Sequence, residues 1–185
     1  MRKFSNIFVL IVVLITVLNM IDFHWEIRFV DTAKNYLFVM VLSILLPISI
    51  LTWSLNRASK LKKVNGIIIS LILVIPCYFV ATVASSNFED IKNNGVDYSF
   101  EKINKLQIND NNYVLYRTNG GATTSFGLVL RFEKPFIKGL KFVKVIYSKD
   151  KASESTLEFE ADNRITMHIQ PYNKGDDVEV VSFDL

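Results

Sequence analysis

Three stretches without one charged residue fill most of the first half of the chain, and nothing else in the sequence limits the fold so strongly. Residues 4–21 lie between Lys3 and Asp22, residues 36–55 between Lys34 and Arg57, and residues 64–88 between Lys63 and Glu89. A helix rises about 1.5 Å per residue and a bilayer's hydrocarbon core is about 30 Å thick, so each stretch has the length to span. As buried helices of a soluble domain they would need a large polar shell. A chain of 185 residues, 50% of them hydrophobic, has no such shell to offer. The expected architecture is therefore an α+β membrane protein: three transmembrane helices in residues 1–88, then a β-rich domain in residues 89–185.

The basic residues predict the orientation. Arg2 and Lys3 precede the first stretch, and Arg57, Lys60, Lys62 and Lys63 lie between the second and third. The loop between the first two carries Asp22, Glu26 and Asp31 against Arg28 and Lys34. Lys and Arg near span ends stay on the cytoplasmic side, so the amino terminus and the basic loop are expected inside, and the first loop and the C-terminal domain outside. The expectation is a multi-pass protein of the cytoplasmic membrane with the bilayer as its first partner. The exit of the first stretch, "LNMIDFHW", lacks paired small residues for a signal peptidase and reads as a signal anchor. The only cysteine, Cys77, follows Pro76 inside the third stretch, so no intramolecular disulfide forms.

None of the three stretches contains Asp, Glu, Lys, Arg or His. Pumps and ion-coupled carriers place such groups at membrane depth, so the sequence argues against transport. Pro47 and Pro76 sit near mid-span and leave carbonyls for neighbouring helices or for hydroxyls such as those of Ser43 and Ser49.

In the first loop, "FHWEIRF" alternates Phe23, Trp25, Ile27 and Phe29 with His24, Glu26 and Arg28. Period two marks an extended segment with one wet face. Its aromatic face has two destinations, the headgroup layer or the edge of the outer domain's sheet. His24 and Glu26 read as the solvated side of that segment rather than as an acid–base pair.

The outer domain reads as an antiparallel meander of six or seven short strands. "KLQI" and "YVLYRT" flank the turn "NDNN"; "SFGLVLRF", "LKFVKVIYS", "STLEFE", "RITMHI" and "VEVVSF" follow, separated by polar connections. In "LKFVKVIY" the apolar set changes parity, Leu140 and Phe142 against Val143, Val145 and Tyr147, which implies a bulge or burial on both sides and a central place. Seven basic residues lie between Arg131 and Lys151, and eight acidic ones between Ala152 and the end. A hairpin around "KDKASES" would set Lys141 and Lys144 opposite Glu158 and Glu160. That assigns the lysines a structural role, and with the expected exterior location it leaves no nucleic-acid platform.

One loop raises the question of a site. "TNGGATTSFG" joins two strands where a reversal is needed, and Gly120 and Gly121 supply positive φ for it. It is not a phosphate-binding P-loop, because no Gly-Lys pair followed by Ser or Thr opens a helix. A plain hairpin does not account for the run of hydroxyls. Arg117, Asn119, Gly120, Gly121, Thr123, Thr124 and Ser125 therefore form the candidate rim for a protein partner or a small anionic ligand.

The segment "YRTNGGATTSFGLVLRFEK", continued by "GLKFVKVIYS" and "ASESTLEF", resembles the recurrent core of a family of small bacterial membrane-anchored or lipoprotein-type proteins of unknown function that carry an NGGATT-like segment. The resemblance covers residues 113–159 and not the three apolar stretches. Members often carry a single anchor, from which the three-helix arrangement departs. It implies an extracytoplasmic anchored domain and supplies no activity or catalytic residue.

The domain holds one histidine, His168, on the exposed parity of its strand, and no paired acids, nucleophile elbow or metal-ligand spacing. No catalytic residue, metal ligand or cofactor is expected. Two functions follow from the sequence: a non-catalytic binding or assembly module at the outer membrane face, or a self-protection protein of the immunity type whose helices block a membrane-active toxin.

Overall fold

The computed structural model describes residues 2–20, 25–119, 125–160, 163–173 and 175–184. It divides into two compact units, residues 1–23 with 31–93, and residues 24–30 with 94–185. The first is helical and the second is built of antiparallel strands, so the chain is α+β.

The helical unit contains α1 (Arg2–Met20), α2 (Thr32–Leu55) and α3 (Lys60–Asn94). The Asp31 carboxylate caps α2 by accepting the Ala33 N–H at 3.0 Å, which satisfies one of the free donors of its first turn. Within α2, the Ser43 and Ser49 hydroxyls donate to the carbonyls of Val39 and Leu46. Ser70 of α3 donates across to the Pro47 carbonyl at 2.8 Å. A Cβ on Gly66 would come within 2.2 Å of Ser54 Cβ, so glycine lets α2 and α3 approach closely. Ser54 beside Gly66 and Pro47 beside Ser70 run in opposite chain directions, which makes α2 and α3 an antiparallel hairpin. Asn6 Oδ1 accepts from Trp53 Nε1 at 3.0 Å and from Arg57 Nη2 at 3.1 Å, so the start of α1 lies beside the end of α2. The α3 helix continues past Phe88 to Asn94 and stops at Gly95, whose φ of +72° suits a left-handed cap.

The expectation of three spans is corrected to two. Among the described residues α2 and α3 are long and apolar enough to cross a membrane, whereas the apolar part of α1 is Ser5–Asn19. At about 1.5 Å per residue that part covers about 22 Å, short of a hydrocarbon core. Ile21, which the sequence run included, lies outside the described residues.

The second unit contains β1 (Glu26–Phe29), β2 (Phe100–Ile108), β3 (Asn111–Asn119), β4 (Phe126–Ile137), β5 (Leu140–Asp150), β6 (Ser155–Glu160), β7 (Arg164–Ile169) and β8 (Glu179–Asp184). They form two sheets, β1-β5-β4-β3-β2 and β6-β7-β8. The segment "FHWEIRF" takes the second of its two destinations: its described part forms β1 at the sheet edge, with Glu26 opposite Val143 and Phe29 opposite Leu140. The turn between β2 and β3 uses Asn109 at φ +54°.

Tyr113, Leu115, Leu128 and Leu130 from the first sheet and Leu157, Ile165, Met167 and Ile169 from the second share one core. Each such side chain contributes about 1.5–3 kcal/mol on full burial. The parity switch between Phe142 and Val143 reflects burial on both sides, Phe142 being half-buried and Val143 buried on the opposite face. A bulge follows further on at Ile146, where Leu130 faces Tyr147 while the next residue, Arg131, faces Val145, so that Tyr147 leaves the face of Val143 and Val145. The β5 strand is interior, and β4 is the middle strand.

The hairpin expected around "KDKASES" does not form. Chain reversal there carries β6 into the second sheet, with Lys151 at φ +54° and Ala152 buried at the crossing. Burying two apolar faces against each other outweighs exposed cross-strand charge pairs worth a few tenths of a kcal/mol to about 1.

Gly127 pairs with Thr118 on one side and Asp150 on the other. A Cβ there would meet Thr118 Oγ1 at 2.7 Å and the Lys149 carbonyl at 3.2 Å. Gly127→Ala is expected to destabilise the second unit by about 1–3 kcal/mol, and adding Thr118→Ala to recover part of that loss. Urea denaturation of the three variants checks this, and equal loss in single and double variants contradicts it.

Candidate functional site

The rim anticipated between β3 and β4 is only partly described. Gly120, Gly121, Thr123 and Thr124 lie outside the described residues. Arg117 pairs with Glu101 at 2.5 Å and places its guanidinium 5.6 Å from the Phe126 ring centroid. That side chain is already committed to a carboxylate from the neighbouring strand. The Asn119 N–H donates to the Ser99 carbonyl at 3.1 Å, which fastens the end of β3 to the entry of β2. Ser125 is half-buried just before β4.

A buried polar cluster lies on the face of the first sheet turned away from the shared core. Glu133 is 7% exposed; its Oε1 accepts from Tyr116 Oη at 2.8 Å and its Oε2 from Lys141 Nζ at 2.6 Å. Arg131 lies 4.1 Å over the Phe100 ring and 5.5 Å from that of Tyr116. Burial, then the charge of Glu133, pushes the Tyr116 phenol well above its ordinary range. Burial lowers the Arg131 guanidinium. A phenol held protonated by a saturated carboxylate is not an activated base, so the cluster braces the sheet. Lys141, expected opposite an acid of β6, finds its partner in Glu133 of β4.

The concave site lies on the opposite face. A cleft of about 250 Å³ is lined by Trp25, Tyr113, Leu130, Phe132, Lys144, Ile146, Ile165, Phe183 and Asp184. Trp25 meets Phe132 edge to face at 5.7 Å, and Tyr113 meets Phe132 likewise at 5.4 Å. Lys144 Nζ stands 5.7 Å from the Trp25 ring centroid. Asp184 accepts from Arg164 Nε at 3.1 Å. This is an apolar, largely aromatic recess with one cation in its wall and an acid already paired outside, the usual make-up of a small binding site.

Most of these lining residues were not assigned to a site by the sequence. Phe132 and Trp25 were visible as members of apolar stripes, while Lys144 was assigned to a hairpin that does not form. Only the sheet order together with the stacking of the two sheets brings the first loop, β3, β4, β5, β7 and β8 to one recess. His168 stands on β7 with Nε2 3.9 Å from Glu158 Oε2 and outside the cleft; His24 lies outside the described residues. Among the described residues no group of three His, Cys, Asp or Glu is placed to hold a metal ion.

The raised Tyr116 phenol sets a pH dependence. The folded state holds this proton more tightly than the unfolded state, whose phenol has a pKa of about 10. Stability from Tyr116 is therefore full below about pH 10 and is lost as pH rises beyond it. With Trp53→Phe leaving Trp25 as the only tryptophan, urea midpoints read from its fluorescence should fall between about pH 9 and about pH 11, and fall less steeply in Tyr116→Phe. Equal slopes contradict the assignment.

Comparison with protein-family models, with curated proteins and with solved structures found no match.

Proposed function

We propose that this protein is a membrane-anchored binding module, in which the helices hold the chain in a bilayer and the β-rich unit takes a ligand or partner group at its aromatic cleft. The cleft carries the reading. It is concave, apolar and built from side chains of five strands and the first loop, and its wall holds a cation in no ion pair among the described residues.

Anchoring is supported by what the helices expose. Leu71, Ile72, Ile75, Tyr78, Phe79 and Val83 of α3 are each 62–68% exposed, a burden that lipid relieves and water does not. The start of α1 is tied to the end of α2 through Asn6, Trp53 and Arg57. That tie puts the basic residues at the start of α1 and those after α2 at one end, as cytoplasmic retention of Lys and Arg requires. The pairing of β1 with β5 supports a reading in which the first loop and the C-terminal region share one side of the membrane. The outer-face location agrees with the anchored domain that the resemblance of residues 113–159 implies. The rim at Arg117, Asn119 and Ser125 is the second contact surface we propose on this unit.

A photoreactive residue at position 183, facing the cleft, should yield a crosslinked adduct in cells, while one at exposed Tyr172 should not. Mass analysis of the purified protein reads the outcome. No adduct at either position, or equal capture at both, removes the cleft as the site.

A further inference from the structure

We propose that the cleft selects a single-chain amphiphile with an anionic head, seating the chain against Trp25, Phe132, Ile146 and Phe183 and the head at Lys144. This rests on the binding-module reading and deepens it. The size of the recess fixes the bulk of the occupant. At about 250 Å³ it exceeds the cavity of about 150 Å³ that takes one benzene ring and falls short of the roughly 300–1,000 Å³ of drug-sized sites. One short alkyl chain fits that range, and a two-chain phospholipid does not.

The charges fix the head. Lys144 is the cation in the lining, and its described aromatic contact is the Trp25 ring, which attracts an ammonium without neutralising it. Asp184 also borders the recess, but its carboxylate is paired with Arg164 and its side chain is 88% exposed, so it neither saturates Lys144 nor projects a full unpaired charge into the apolar space. The neighbouring lysines are spent elsewhere: Lys141 on Glu133 and Lys149 on Glu179. A carboxylate or sulfate head at the mouth therefore gains a charge-assisted hydrogen bond from Lys144 that a neutral or cationic head does not.

The test uses the full-length protein in nanodiscs of zwitterionic lipid with Trp53→Phe, so that Trp25 alone reports. Octanoate, octanol and octylammonium are titrated, and the Trp25 emission shift is followed. Octanoate is expected to bind saturably and about fivefold more tightly than octanol, with octylammonium no better than octanol. In Lys144→Met the octanoate affinity should fall to that of octanol, while Lys144→Arg keeps the preference. Octanoate binding no tighter than octanol, or a preference that survives Lys144→Met, overturns the anionic head. Absence of a saturable shift with all three probes overturns the binding cleft itself.

Discussion

Four residues joined to a neighbouring strand hold the rest of the architecture in place. The β1 strand, from the loop between the first two helices, pairs in antiparallel register with the first four residues of β5, and the Val30 N–H extends the pairing to the Gly139 carbonyl at 3.0 Å. Backbone pairing of this kind does not depend on side-chain identity, yet it decides three things here. It makes the first loop part of the β-rich unit. It shields part of an edge that would otherwise offer unpaired backbone groups. It also brings Trp25 against Phe132 and Phe142, so that one wall of the cleft comes from a segment far from the others in sequence.

The first sheet then has two faces with different demands. One meets the second sheet and is filled by leucine, isoleucine and methionine. The other buries a carboxylate, which is tolerated because both oxygens of Glu133 receive donors, from Tyr116 and Lys141. Removing either donor would leave a buried charge partly unsatisfied, which costs more than the bond contributes. The close approach of β3, β4 and β5 at Gly127 belongs to the same economy of space, because any side chain there meets Thr118 and the Lys149 carbonyl.

Much of this was legible in the residues. Uncharged length marked the helices, Asn and Asp clusters marked the β2–β3 turn, and alternation marked the strands and the edge character of "FHWEIRF". The parity change in "LKFVKVIY" marked burial on both sides at Phe142 and Val143, while the bulge at Ile146 lies past it. What failed were statements about partners. Charge sorting along the chain suggested Lys141 and Lys144 against Glu158 and Glu160. The two sheets instead stack through their apolar faces, and the lysines point to Glu133 and to Trp25. The close approach at Gly127 had no local signal, because it comes from neighbours on both sides. The cleft had no local signature, since it exists only once Trp25 and strands β3, β4, β5, β7 and β8 are assembled.

The first loop and the C-terminal strands form one unit, and the proposal that rests on it is that this unit lies outside the membrane, opposite the basic loop. In a Cys77→Ala background, cysteines are placed one at a time at Val30, Ser59 and Asp177, all three exposed in the structure, and intact cells are treated with a membrane-impermeant thiol reagent. The account predicts labelling at positions 30 and 177 and none at position 59 until the cells are permeabilised. Labelling of position 59 alone would reverse the orientation, and labelling of only one of positions 30 and 177 would contradict the pairing of β1 with β5.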